Sequence, residues 1–308
     1  MSVRGRAFIA IAIVGAAGIS CAGTRAPAEE DAGVNAHRAE VERWRAQRME
    51  RLRRDDGWLT LVGLSWLAPG DNSFGSDPAG RVVFPEGTAP AHLGSFNLEG
   101  ETVRLRVGPG AQVMHEGRPV TEMVVQPDTA GSPTVLQHGS LRFHVIRRGD
   151  RFGVRVKDSQ SPALRAFTGI DAFPIDPAWR VSARFEPYVP ARKISVPNVL
   201  GDPTTETSPG ALVFEVAGRT LRLEPVAEEG SEELFVIFGD GTNGHETYGG
   251  GRFLYAAQPD AQGRVVLDFN RAYNPPCVFT PYATCPLPPP QNKLAERIEA
   301  GEKSYGEH

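Results

Sequence analysis

The chain has 308 residues, with 33 basic against 37 acidic side chains, a formal charge of −4 and three cysteines. An acidic balance argues against nucleic-acid binding, which requires a concentrated basic surface. At this length, with 40% hydrophobic residues, a sizeable core is available, as one large β domain or two smaller ones.

The first 21 residues read as a signal peptide. Arg4 and Arg6 precede an apolar run over residues 7–19, shorter than the ~20 residues that cross a bilayer. Gly18-Ile19-Ser20-Cys21 resembles a bacterial lipobox, with Gly18 where leucine is usual, so Cys21 is the expected lipidation site. Ala22 behind it points to outer-membrane delivery. Residues 22–34, rich in Ala, Gly, Pro and acids without a hydrophobic period, read as a disordered tether. These features predict an exported lipoprotein, periplasmic or outer-membrane, with a mature formal charge of −6 once Arg4 and Arg6 are cleaved off.

A single domain is expected over residues 35–308. It opens with a helix over about 35–54, where Val41, Trp44 and Leu52 recur near helical spacing among Arg and Glu. Its arginine-rich end, Arg48, Arg51, Arg53 and Arg54, reads as a solvated face or as a contact for anionic lipid. From Trp58 onward the period becomes two. Leu141, Phe143 and Val145, a Gly149-Asp150 turn, and Phe152, Val154 and Val156 spell a hairpin with one buried face. Trp179, Val181, Ala183 and Phe185 alternate in the same way. Further strands are predicted over 103–107, 120–125, 211–216, 220–223, 234–238, 252–256 and 265–269. Turn residues about every ten positions fit an antiparallel sandwich or a partly open barrel, and no helical pattern separates the strands. The Gly/Pro/Thr/Ser-rich stretch 198–210 reads as a long loop or a weak domain boundary. Three prolines before Gln291, with Leu294, Ile298 and Gly301, predict a short C-terminal helix. The fold class is therefore mainly β with a helix at each end.

With Cys21 taken by lipid, Cys277 and Cys285 remain as a pair. A structural disulfide is expected, with reactive thiols as the alternative, because Cys-x7-Cys lacks zinc and redox spacing. No Gly-x-Ser-x-Gly elbow, phosphate-binding loop or His-Glu-x-x-His motif occurs. The histidines (His37, His92, His115, His138, His144, His245, His308) lack metal-like spacing, so neither metal nor cofactor is expected.

What stands out is a density of hydrogen-bonding groups near the C-terminus: Asp240, Glu246, Tyr248, Arg252, Asp268, Asn270, Arg271 and Tyr273. Gly241, Asn243 and Gly244 fit a turn between two strands, and Asp268 and Asn270 would share a strand face opposite Leu267 and Phe269. Either these groups satisfy one another, with Arg252 holding Asp240 or Asp268, or they line a pocket. In the pocket reading Tyr248, Arg252, Asp268, Asn270 and Tyr273 bind a small anionic or polyhydroxylated ligand, and Asp240 or Glu246 is the candidate general base. The glycines at 249–251 permit close approach to the backbone.

Several segments carry a family resemblance. They are Asp55-Asp56-Gly57-Trp58-Leu59, Gly63-Leu64-Ser65-Trp66-Leu67, Val154-Arg155-Val156-Lys157-Asp158, Thr247-Tyr248-Gly249-Gly250-Gly251-Arg252-Phe253, the run from Asp268 through Asn274-Pro275-Pro276-Cys277, and Cys285-Pro286-Leu287-Pro288-Pro289-Pro290-Gln291-Asn292. Over about residues 40–305 the chain resembles the bacterial and archaeal family catalogued as domain of unknown function 1684. That resemblance implies a commonly exported protein and supplies no reaction and no catalytic residue. Three functions stay open: an envelope lipoprotein with a ligand pocket, a metal-independent hydrolase using Asp240 or Glu246, and a structural or partner-binding protein without a pocket. In the last, Trp58 and Trp66 would contribute to an exposed apolar patch.

Overall fold

A computed structural model describes residues 27–228 and 230–306. The signal segment, Cys21 and His308 lie outside them. The alternating patterns set the architecture. In the hairpin of strands Leu141–Arg148 and Arg151–Asp158, Leu141 pairs with Asp158 and Arg148 with Arg151. Leu141, Phe143, Val145, Phe152, Val154 and Val156 all turn to one buried face, as side chains two apart on a strand must. Gly149 takes φ +57° in the turn, the left-handed backbone a two-residue hairpin needs.

This hairpin lies within a six-stranded sheet, in spatial order Leu61–Trp66, Arg151–Asp158, Leu141–Arg148, Leu136–His138, Val113–His115 and Arg118–Val120. A five-stranded sheet, Val82–Val83, Gly70–Gly75, Gly94–Glu99, Thr102–Val107 and Glu122–Val125, shares its core. Phe74, Phe84, Phe96 and Phe143 meet there, with ring centroids 4.9–6.3 Å apart. The strand expected over 120–125 is split at Thr121: Arg118–Val120 joins the first sheet and Glu122–Val125 the second. Switching sheets in this way makes a sandwich corner.

The second half repeats the plan. Strands Arg219–Leu223, Thr204–Val216, Arg180–Val196 and Arg264–Asp268 form a four-stranded sheet, and Val226–Ala227, Glu233–Phe238 and Arg252–Ala257 a three-stranded one. Leu212, Phe214, Val236, Phe238, Leu254, Leu267 and Phe269 fill the core between them. A smaller cluster joins the halves, with Leu61 and Trp58 against Ile194, Phe235, Phe253 and Cys285. All four strand orders are open and no barrel closes, so the architecture is a pair of antiparallel sandwiches. Residues 204–210 are strand, paired with the far end of Arg180–Val196, and not the loop or boundary expected there.

Both ends of the chain differ from expectation. The N-terminal helix spans Pro27–Arg53, so residues 27–34 are helical and not tether. Pro is tolerated in a first turn, and the Ala and acidic residues that follow it favour a helix start. This helix is strapped across the second half by its polar side chains. Arg45 donates to the Phe173 carbonyl at 3.0 Å, Arg271 pairs with Glu40, and Arg48 is buried; of the arginine row expected to be solvated or lipid-facing, Arg51, Arg53 and Arg54 are exposed and Arg48 is not.

At the other end the described residues after 290 form no α-helix, only a 3-10 turn, Pro290–Asn292. Beyond it the backbone bonds outward. Leu294 N–H donates to Gly239 O, Gly241 N–H to Glu296 O, and Glu302 N–H to Ala272 O, each at 2.8 Å. Groups spent on distant partners cannot close i→i−4 rings. Gly301 adopts φ +80°, where a Cβ would stand 2.4 Å from Ala272 O. Its role is close approach to the Ala272 backbone and not a helix cap.

Cys277 and Cys285 are disulfide-bonded, with Cα atoms 6.2 Å apart. The short loop they close contributes about 2–3 kcal/mol on a chain-entropy basis. It positions Thr280, whose hydroxyl donates to Leu61 O at 2.9 Å and so ties the loop to the first half.

Candidate functional site

The polar residues expected to share a pocket divide into two buried networks and one cleft. The first network fills the loop between Glu233–Phe238 and Arg252–Ala257. Arg252 is fully buried, and its Nη2 donates to Asp240 Oδ2 at 2.7 Å and to the Ile298 carbonyl at 2.8 Å. Its Nη1 donates to the Ala300 carbonyl. Burial draws the guanidinium pKa down, and Asp240 opposes that shift. The other Asp240 oxygen accepts from Thr242 N–H and Oγ1 at 2.8 and 2.6 Å. Both carboxylate oxygens are thus hydrogen-bonded, and the Asp240 side chain is closed off from solvent. Glu246 is part-buried and pairs with Arg297, which holds its carboxyl below the usual range. Tyr248 is half-buried, and burial raises its phenol.

The second network sits at the end of strand Arg264–Asp268. Asn270 does not continue the strand, because Phe269–Arg271 is a 3-10 turn whose first N–H groups are capped by Asp268. Asp268 Oδ1 accepts from Asn270 Nδ2 at 2.9 Å, and Oδ2 meets His37 Nε2 of the N-terminal helix at 2.8 Å. Asn270 spends its remaining capacity on the Asp176 backbone, accepting at 3.0 Å and donating at 2.9 Å. Arg252, Asp268 and Asn270, read as ligand-binding candidates, are therefore structural here: they satisfy buried partners.

A cleft of about 770 Å³ opens between the C-terminal half of the helix and the sheet Glu233–Phe238/Arg252–Ala257. Of the expected residues, Tyr273 and Arg271 line it, whereas Asp240, Glu246, Tyr248, Arg252, Asp268 and Asn270 do not. Its sheet wall is aromatic. Phe235 stacks on Tyr255 with centroids 4.9 Å apart, and Phe253 and Tyr273 meet edge to face at 5.8 Å. Tyr255 and Tyr273 lie nearly parallel, 6.3 Å apart, and burial raises both phenols. Trp44 and Trp58 line the helix side and its exit.

Four guanidiniums line the same cleft, those of Arg48, Arg51, Arg54 and Arg271, against two carboxylates, Asp56 and Glu233. Arg48 lies 4.7 Å over the Tyr273 ring and donates to Glu302 at 3.0 Å. Arg54 pairs with Asp56, and Arg271 with Glu40. Arg51 is exposed and, among the described residues, forms no ion pair. Sequence reasoning missed most of this lining because its residues come from positions 44 to 276. The legible hint was the arginine-rich helix end. Among the described residues no group of His, Cys, Asp and Glu is placed to hold a metal ion, and no helix is long and apolar enough to cross a membrane.

Fold and cleft together define a two-sandwich β protein with a helix strapped over an aromatic, cation-rimmed groove. The chain belongs to the family described as Protein of unknown function (DUF1684), whose model matches residues 165–303. Those residues hold the second sandwich, the disulfide loop and both polar networks except His37. The chain is also similar to an uncharacterized protein from gene locus rrnAC0354 of Haloarcula marismortui, known from a solution NMR structure. The identity is 31%, over 48% of this chain and 85% of that one, with a TM-score of 0.40. No curated protein matches the chain.

Proposed function

We propose that the protein is an exported, lipid-anchored binding protein whose cleft takes a small organic anion with an apolar body. The observation that carries this is the pairing of an aromatic wall (Phe235, Phe253, Tyr255, Tyr273) with guanidiniums at the rim, Arg51 among them without a carboxylate partner among the described residues. Aromatic faces supply area that an apolar ligand body covers, and a free guanidinium supplies two parallel donors for a carboxylate or phosphate. The volume matches small-molecule sites, which run from ~300 to 1,000 Å³. The envelope address rests on residues 1–21 and Cys21.

The hydrolase reading loses its general bases, because neither Asp240 nor Glu246 faces this cleft, and a base must lie within hydrogen-bond reach of the proton it takes. Calorimetry of the mature protein against aromatic carboxylates, aryl phosphates, short fatty acids and neutral sugars tests the binding reading. At least one anion class should bind, neutral sugars should not compete, and Arg51→Glu should weaken binding about tenfold or more. A panel without any binder, or affinities untouched by both Arg51→Glu and Trp44→Ala, would reject the cleft as the site.

A further inference from the structure

The outer face of the central hairpin is strongly cationic. On it Arg155 and Lys157 of one strand stand opposite His144 and Arg142 of the other, and Arg148 follows four pairs beyond His144. Arg155 is only 6% exposed. Its Nε has no hydrogen-bond partner, and its Nη2 reaches a single neutral acceptor, Thr284 Oγ1, at 3.4 Å. Arg148 Nε points to the same hydroxyl at 3.3 Å.

Two guanidiniums therefore converge on one threonine oxygen with too little negative charge between them. The neighbouring carboxylate, Asp128, is already bound to Arg148 at 2.8 Å and to the Arg147 N–H at 2.9 Å. On its remaining side Arg155 has the Trp58 ring, 5.4 Å away, which Lys157 also approaches at 5.7 Å. The local potential shows in the titrating groups. Burial, then Arg155 and Lys157, push His144 down to about 4, and burial with Arg148 pushes Arg155 down to about 10. Buried charges are held by an opposite charge or by a full set of hydrogen bonds; among the described residues Arg155 forms no salt bridge and one long hydrogen bond, and Asp128 acts on it only at a distance.

We infer that a free oxyanion, a phosphate or a carboxylate group, binds between Arg148, Arg155 and Thr284, at a site separate from the aromatic cleft. Thr284 holds the place of one anion oxygen, and Arg148, one-third exposed, gives the route from solvent. Thr284 is adjacent to Cys285, so the disulfide loop sets the distance between the hydroxyl and the two arginines. A lipid headgroup fixed in a bilayer plane has no path to a side chain this buried, which favours a soluble anion.

Inorganic phosphate is the probe, added to the full mature protein at constant ionic strength and followed by the arginine Nε–H resonances and by Tm. The Arg155 Nε–H signal should shift saturably, sulfate should compete, and Tm should rise by about 2–4 °C near saturation. Arg155→Met should weaken binding about tenfold or more, whereas Arg51→Gln in the cleft should leave this response in place. Anionic vesicles without free phosphate should not move the Arg155 signal. A response that never saturates, one confined to Arg51 and Arg54, one that survives Arg155→Met, or one produced by vesicles alone overturns the proposal. If the Arg155→Met protein does not fold, the wild-type resonances decide alone. Since the cleft is read out with organic anions and Arg51→Glu, either site can fail without the other.

Discussion

Arg252→Met should be among the most damaging single changes in the protein, lowering stability by about 3–5 kcal/mol and Tm by roughly 10 °C. The reason is not a lost surface ion pair. Arg252 and the Asp240 carboxylate both have fully buried side chains, so removing the cation leaves a charge that water cannot reach. It also frees the Ala300 carbonyl and leaves the Ile298 carbonyl with the Ala300 N–H alone. Arg252→Met combined with Asp240→Leu should recover part of the loss, because a buried apolar pair costs less than one orphaned carboxylate. Urea midpoints of the two variants decide the matter: equal midpoints for wild type and Arg252→Met would mean that the pair does not hold the C-terminal segment.

The same residue shows how far the sequence could be read. Its partnership with Asp240 was one of two pairings the local pattern allowed, and it is the one formed, twelve residues away across a loop. The mainly antiparallel fold was legible because strand alternation is a local signal: Leu141 through Val156 state their buried face without help from elsewhere. The C-terminal helix was misread for the opposite reason. Leu294 and Ile298 are spaced as on a helix, but the partners that pull residues 294–302 out of one (Gly239, Asp240, Arg252 and Ala272) lie 30 to 58 positions earlier. Composition also misled at the N-terminus, where Ala, Gly and acids suit a tether and a helix alike.

The cleft was harder to read still. Six polar residues placed together by sequence proximity satisfy each other or sit apart from the cleft, and only Tyr273 and Arg271 reach the groove. The aromatics that form its wall occupy alternate positions on two strands, Phe235 on one and Phe253 and Tyr255 on the other, and any of them would pass as core. What turns them into a site is the helix laid over them, and no periodicity in the sequence specifies where that helix docks.

Docking of the helix makes Arg48 the second residue whose loss should be severe. It donates through Nε to Glu302 at 3.0 Å and through Nη2 to the Asn274 carbonyl at 2.9 Å, while its guanidinium covers the Tyr273 and Phe279 rings. Glu302 is buried as well, and its other oxygen accepts from the Asn274 N–H at 2.7 Å. One side chain thus joins the helix, the floor of the cleft and the C-terminal segment. Arg48→Met should cost about 3–5 kcal/mol by leaving Glu302 buried and unpaired, and should also weaken ligand binding through the displaced Tyr273 ring. Adding Glu302→Gln removes the orphaned charge, so the double variant should be more stable than Arg48→Met. Affinity in the double variant should stay low, because the cation over Tyr273 is still missing. If the double variant regained full affinity, the guanidinium would have served only to neutralise Glu302. A permanent loss of binding alongside recovered stability assigns Arg48 to both tasks, holding the strap in place and charging the groove beneath it.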